Sequence, residues 1–309
     1  MAGHAKPFEV PQLRFERLRS VTLVSVIIPT RNRLDLLQRA LQSVDTQSYP
    51  DKEVLIVDDA STDGTADWLA KAPYRCFFRE IQGGAASARN LALQQTRGEV
   101  IAFLDDDDLW DKDYLERQVK SLQHCDLSFT AHHDSISTVD DQLLFDYEDP
   151  VVGYLCESYL HSMSVVACRR SLVDQVGLLD PRWRITHDYD WYARMLLAGA
   201  RVSRVPEVSV VRRRQVESLV TNHRLWFQEE DDILSELMQE YPHLRSSRGR
   251  IVAHRAVFSS WLALRRGDIG FARVRLQRAL ASSCQWTART LCARVVRNLE
   301  NCFRGIMES

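Results

Sequence analysis

The stretch Val100 to Asp108, V-I-A-F-L-D-D-D-D, decides how the rest of the chain is read. Five apolar residues in succession are too few for a typical helix and suit a strand covered on both faces, in the middle of a parallel sheet. The carboxylates begin where that strand stops. Side chains alternate along a strand, so continued extension puts Asp105 and Asp107 on one side and Asp106 on the other. Carboxylates this close raise one another's pKa unless a cation or hydrogen bonds offset them. Ligands of open α/β sheets bind beyond the carboxyl ends of strands, so one expectation is a hard divalent ion, Mg2+ or Mn2+, on Asp105 and Asp107, with positions left for phosphate oxygens. The other is a solvated acidic loop that caps a helix near Asp111.

Upstream of this stretch, strands and helices alternate. Val24 to Ile28 reads as a strand broken by Pro29, and Leu34, Leu37, Leu41 and Val44 recur as one helical face. Glu53 to Val57 is a second strand ending in Asp58-Asp59, and a turn-rich A-S-T-D-G-T and a short helix through Trp68 follow. Tyr74 to Arg79 reads as a strand and Ala85 to Gln95 as a helix. This repetition implies right-handed crossovers and a mostly parallel, Rossmann-like sheet flanked by helices. Downstream, Asp113 to Gln123 reads as a helix and Asp126 to Thr130 as a strand. The polar, irregular Ala131 to Tyr154 reads as an insertion or lid. Ser164 to Cys168 is a strand, His187 to Ala198 a helix, and Arg201 to Val205 and Val208 to Arg212 are two further strands. Beyond Leu225 the pattern is helical. The expected organisation is a lead-in over 1–23, an α/β domain over 24–222 and a basic helical region over 223–309.

Composition sets the outer bounds. A chain of 309 residues, 45% hydrophobic and 27% charged, is an ordinary globular protein. It has no apolar run of membrane-spanning length, no signal-peptide core at its start, and seven scattered cysteines, which together predict a cytoplasmic location with reduced thiols. The net charge of −2 hides an asymmetry, because Leu244 to Ser309 holds thirteen arginines, no lysine and three acidic residues. Those arginines interleave with Trp286, Val295, Val296, Leu299 and Phe303. That pattern allows a basic amphipathic helix on an anionic membrane, and equally helix packing or an oligomer interface. No nucleic-acid recognition motif accompanies them.

Four strand ends or loops carry polar groups that a parallel sheet would bring together. Pro29, Thr30, Arg31 and Asn32 offer backbone and Arg31 contacts to a nucleotide, or only a helix cap. Asp58 and Asp59 can accept hydrogen bonds from a base or ribose, or organise a turn with Ser61 and Asp63. Gly83 to Asn90 opens a helix whose N-terminus attracts anions, with Arg89 in phosphate reach; close helix-strand packing explains the glycines equally. Thr186 can cap a helix whose first turn holds Asp188, while Asp190 and Arg194 form an i, i+4 ion pair.

Taken in order, S-V-I-I-P-T-R-N-R, V-D-D-A-S-T-D-G-T, G-G-A-A-S-A-R-N-L-A-L, F-L-D-D-D-D and H-D-Y-D-W-Y-A-R resemble the motifs of family 2 glycosyltransferases with the GT-A fold, over Val24 to Asn222. The resemblance implies a UDP-, GDP- or dTDP-sugar donor, a carbohydrate or lipid-linked acceptor, a divalent ion, and transfer with inversion, frequently in bacterial surface-polysaccharide or glycolipid synthesis. By that likeness Asp58 contacts the base, Arg89 lies near the donor with Pro29, Thr30, Arg31, Asp59 and Asp106, and Asp105 and Asp107 form the D-x-D pair. Asp188 matches the general base. His187 stands where the family often has Glu. Arg213 keeps the arginine of a later segment, with Gln215 at its His position. A non-catalytic nucleotide-sugar-binding protein on the same scaffold is the alternative. A nucleotidyltransferase is a weaker one, since no Gly-rich loop with a basic residue follows the first strand.

Overall fold

The computed structural model describes residues 22–132, 149–158, 160, 162–212 and 222–291. They fall in two compact units, one holding residues 22–132, 160 and 162–212, the other 149–158 with 222–291.

The first unit is a twisted eight-stranded sheet. Its centre is β1 (Val24–Thr30), buried along its whole length and paired in parallel with β2 (Lys52–Asp58) on one side and β4 (Val100–Phe103) on the other. β3 (Arg75–Phe78) adds to β2 in parallel and forms one edge. Uninterrupted apolar runs can be buried on both faces only if helices cover them. One of these is α1 (Leu34–Asp45), which turns Leu37, Ala40, Leu41 and Val44 inward. The others on this side are the short α2 (Thr65–Leu69) and α3 (Gly84–Leu93). Pro29 does not break β1. It pairs in register opposite Val57, and the strand runs on to Thr30 opposite Asp58.

The other half of the sheet is mixed. After β5 (Asp108–Trp110), α4 (Tyr114–Ser121) and β6 (Leu127–His132), β7 (Val166–Arg169) enters between β4 and β6, antiparallel to both. The expected strand at Ser164 starts two residues late, because Met163–Val165 form a 3-10 turn. The two strands expected between Arg201 and Arg212 are one, β8 (Val202–Arg212), which runs parallel to β6 through register shifts and antiparallel to β5. Four of the seven pairings are parallel.

Between β7 and β8 lie α6 (Arg170–Val176) and α7 (His187–Leu197). Trp191 on α7 is fully buried and meets Phe103 of β4 edge to face, with ring centroids 5.6 Å apart, while its indole N–H donates to the Gly177 carbonyl at 2.9 Å. One turn earlier on the same helix stand His187 and Asp188. Seating Trp191 against the last residue of β4 therefore carries them to the acidic end of that strand.

The second unit contains α5 (Pro150–Glu157), capped by Asp149 through the Val151 N–H at 2.8 Å, and three long helices, α8 (His223–Glu240), α9 (Arg248–Arg265) and α10 (Ile269–Ser282). The expected insertion begins too early, since Ala131 and His132 end β6 in the first unit, while its described end, the first residues of α5, groups with the C-terminal helices. Among the described residues no helix is long and apolar enough to cross a membrane.

At the entry to β4, Gly98 is pressed against β1. A Cβ there would stand 2.6 Å from both the Leu23 carbonyl oxygen and the Ser25 nitrogen, backbone atoms that cannot swing away. Gly98→Ala should therefore lower unfolding stability by about 1–3 kcal/mol, the usual cost of overpacking, read from the urea midpoint. An unchanged midpoint would show that the β1–β4 contact yields freely.

Candidate active site

Parallel pairing gathers the ends of β1, β2 and β4, and the acidic run begins two residues past β4. It does not stay extended. Residues 106 and 107 form a turn closed by the Asp108 N–H on the Asp105 carbonyl at 3.1 Å, so the expected alternation along a continued strand fails. Four adjacent carboxyl groups repel, and the turn lets Asp105 face Arg89 while Asp106 and Asp107 share Arg33.

Asp105 pairs with Arg89, which reaches it from α3. Arg89 is buried, and its other terminal nitrogen donates to His187 Nε2 at 2.7 Å. A guanidinium can only donate, so the imidazole must accept there and is neutral. Burial first, and then Arg89, hold its pKa down to about 3. Asp188, partly exposed beside it, accepts from the Tyr189 N–H at 2.8 Å. Its pKa is pushed up to about 7, chiefly by burial and further by the Asp105 charge, against the opposing pull of Arg89. Asp105, Arg89, His187 and Asp188 therefore form one electrostatic group.

Asp106 turns the other way. It is buried, accepts from the Thr30 hydroxyl at 2.8 Å and from Arg33 at 3.0 Å, and so fastens the acidic turn to β1. Both Asp106 and the Thr30 hydroxyl, expected near the donor, are thus engaged within the protein. Arg33 also reaches Asp107 at 3.2 Å, a role the sequence did not single out, while Arg31 is exposed. Asn32 explains the change of arginine. Its backbone is left-handed, with φ of 53°, and its side chain accepts from the Thr62 N–H at 2.6 Å, bending the loop so that the residue after it faces the turn.

Asp59 is committed as well. Its two oxygens accept from the Gly83 and Gly84 N–H groups at 2.9 and 2.7 Å, and Arg79 lies 3.1 Å away. Two donors at the start of α3, Gly83 N–H and Gly84 N–H, are thus taken by Asp59, which holds the loop where the sequence offers an anion site. Asp58 differs. It is buried, one oxygen accepts from the Ser61 N–H at 3.2 Å, and the other has no partner among the described residues. Thr186 holds the N-cap position of α7 without capping through its side chain, and Asp190 pairs with Arg194 at 2.9 Å to brace the preceding loop. Asn90, beside Arg89, was not anticipated. Its amide donates to the Leu179 carbonyl at 2.8 Å and accepts from the Leu179 N–H at 3.0 Å, tying α3 to the loop before α7. Arg213 and Gln215 lie outside the described residues.

Carboxylate oxygens of Asp105, Asp107 and Asp108 lie within 4.8 Å of one another. An all-oxygen set of this charge suits Mg2+ or Mn2+. The Asp107 carboxyl is pushed up to about 6 by burial and then by Asp105 and Asp106, the mark of negative charge not fully offset by Arg33. The residues present fit a divalent ion, with Asp108 added to the expected pair.

Comparisons with known proteins place this arrangement. The pattern of Glycosyl transferase family 2 matches residues 25–146. TuaG of Bacillus subtilis (strain 168), a glycosyltransferase named for teichuronic acid biosynthesis, is 44% identical over 187 residues, covering 57% of this chain and 73% of TuaG. The chain belongs to glycosyl transferase family 2. WfgD of Escherichia coli, named a UDP-Glc:alpha-D-GlcNAc-diphosphoundecaprenol beta-1,3-glucosyltransferase, is 36% identical over 110 residues, 35% of this chain and 44% of WfgD. The mannosyltransferase PcManGT from Pyrobaculum calidifontis, solved with GDP-Man and Mn2+, superposes with a TM-score of 0.61 at 21% identity, covering 92% of this chain and 82% of that one. S. aureus TarS 1-349 with UDP-GlcNAc gives 0.55 at 19% identity, covering 88% and 91%. These two likenesses establish the GT-A-like fold of this glycosyltransferase.

The raised carboxyls have a measurable consequence. Asp188 and Asp107 titrate higher in the folded chain than in the unfolded one, so between about pH 4 and 7 these two carboxyls hold more protons when folded and their contribution to stability falls as pH rises, whereas His187, held down to about 3, contributes with the opposite sign. In metal-free buffer Asp188→Asn should match the wild-type melting temperature near about pH 4 and exceed it above about pH 7. Parallel melting curves across that range would contradict the raised pKa of Asp188.

Proposed function

We propose that this glycosyltransferase moves a sugar from a nucleotide-sugar donor to an acceptor hydroxyl with inversion, in bacterial surface-polysaccharide or glycolipid synthesis. The observation that carries this reading is the joining of Asp188 to the acidic end of β4 through His187, Arg89 and Asp105. The UDP- and GDP-linked donors of TarS and PcManGT, and the names of TuaG and WfgD, support the same class of substrate.

In this scheme Asp188 accepts the acceptor's hydroxyl proton as that oxygen attacks the sugar carbon from the face opposite the leaving diphosphate. Its position close to neutrality suits the task, since a base must be deprotonated at working pH and still hold a proton. Arg89, fixed at both ends, contributes a positive charge that need not reorganise as charge grows on the leaving group. His187, being neutral, orients Arg89 without cancelling its charge. Asp58 meets the base with its unpartnered oxygen. Pro29, Thr30 and Arg31 contribute the wall beside the donor, and Arg213 a further positive charge near the diphosphate. Asp105, Asp107 and Asp108 would hold Mg2+ or Mn2+, which supplies a positive charge against the diphosphate. For a lipid-linked acceptor, the basic C-terminal region would lie against the inner face of the cell membrane.

The deciding experiment incubates the full chain with a panel of UDP-, GDP- and dTDP-sugars, with and without Mn2+, and measures sugar release or transfer; no turnover with any donor would refute the reading. Asp188→Asn should bind donor as the wild type does and transfer about 10^2- to 10^4-fold more slowly. Wild-type kcat/KM should rise about tenfold per pH unit up to about pH 7 and then level, a slope that Asp188→Asn lacks. Asp107→Ala should abolish the Mn2+-dependent part of donor affinity measured by calorimetry.

A further inference from the structure

Packing accounts for the inner face of the α9–α10 hairpin. Ala256, Val257 and Ala279 close on one another, and the Ser260 hydroxyl donates to the Ala272 carbonyl at 2.9 Å. Buried Arg275 is held by Asp231 and by the Ser259 hydroxyl at 2.6 Å, and buried Arg255 by Glu230. The outer face is another matter. Leu264 is 54% exposed, Ile269 71%, Val274 59% and Leu280 45%. Periodicity alone assigns Leu264, Ile269 and Leu280 to the core. Small residues occupy the helix contact instead, and the large aliphatic side chains are left outside.

The same surface is cationic. Arg265, Arg266 and Arg273 are exposed among those aliphatic residues, Arg265 lying 5.0 Å from the Trp261 ring, while exposed Arg278 pairs with Asp231. From Leu264 to Leu291 the one acidic residue is Asp268, and it is already engaged by Arg224 at 2.7 Å and His223 at 3.1 Å, and caps α10 through the Phe271 N–H at 3.2 Å. Trp286, expected on a membrane-facing stripe, lies instead beneath the guanidiniums of Arg250 and Arg289, 4.4 and 5.0 Å from its ring. Residues 292–309, with the rest of that stripe, lie outside the described residues.

We propose that the outer face of α10, with the turn that joins it to α9, docks on an anionic phospholipid surface. Aliphatic side chains interleaved with arginines match the boundary where acyl chains meet phosphates, and the long arginine stems can lie along the apolar layer while their heads reach the phosphates. A second copy of the chain is disfavoured, because a two-fold contact would set these arginines against their own copies. Nucleic acid would leave four exposed aliphatic side chains in water. The proposal rests on the C-terminal unit alone, independent of the transferase chemistry.

The test is co-sedimentation of the full chain with vesicles of phosphatidylglycerol and phosphatidylcholine in equal parts, and with phosphatidylcholine alone. The wild type should bind the mixed vesicles, lose binding as salt rises, and ignore the neutral ones. Ile269→Asp with Val274→Asp should weaken binding by at least about tenfold. Arg265→Ser with Arg266→Ser and Arg273→Ser should weaken it on the order of 10^2-fold. All five side chains are exposed, so melting temperatures should stay put, and donor hydrolysis without vesicles should be unchanged, which separates this surface from the donor site. Equal binding by wild type and variants overturns the proposal. So does wild-type indifference to phosphatidylglycerol, or a wild-type dimer that the Asp pair dissolves while no form binds vesicles.

Discussion

The interaction on which the site depends is the clamp on Arg89. A buried guanidinium is costly unless its donors are met, and here Asp105 takes one terminal nitrogen and the neutral His187 ring the other, while Nε has no partner among the described residues. The two partners come from segments 98 residues away and 16 residues away in the chain, so a single side chain joins β4, α3 and α7. With Glu at position 187, Arg89 would sit between two anions and lose most of its net charge. With His the Arg89–Asp105 pair stays formally neutral instead of becoming net negative, while the carboxylate next along, Asp188, remains hard to ionise.

Around that clamp the acidic turn divides its work. Asp106 faces inward to Thr30 and Arg33 and anchors the turn, which frees Asp105, Asp107 and Asp108 to gather on the other side. Asp59 likewise serves the backbone of Gly83 and Gly84, and Asp58 keeps one oxygen uncommitted. In each acidic pair, one member maintains the geometry in which the other can act. The protein thus holds several like charges together without leaving all of them to repel.

The parallel half of the sheet was legible because β1, β2 and β4 are mostly apolar runs, each followed by polar residues. The mixed half was not. Val166–Arg169 reads equally well in either direction, and nothing in its side chains says that it will enter antiparallel beside β4. At the site, motif order pointed to Arg89, Asp105 and Asp188, whereas Arg33, Asn90 and Asp108 were missed. Arg33 depends on the left-handed turn at Asn32, and Asn90 on a loop 89 residues further on, neither of which has a period to detect. In α9 and α10 hydrophobicity misled for another reason. Close approach selected alanine for the contact, so size rather than polarity decided which residues were buried.

Trp191 seated on Phe103 has a wider meaning. The helix that bears the proposed base is fixed to the same strand that ends in the acidic turn, through an aromatic contact that involves no loop. The groups proposed to react are thereby mounted as one rigid fixture, to which segments that choose a substrate can be added separately. A lineage could exchange those segments for new sugars or acceptors without retuning the fixture. That separation of mechanical from selective parts lets one architecture serve many linkages.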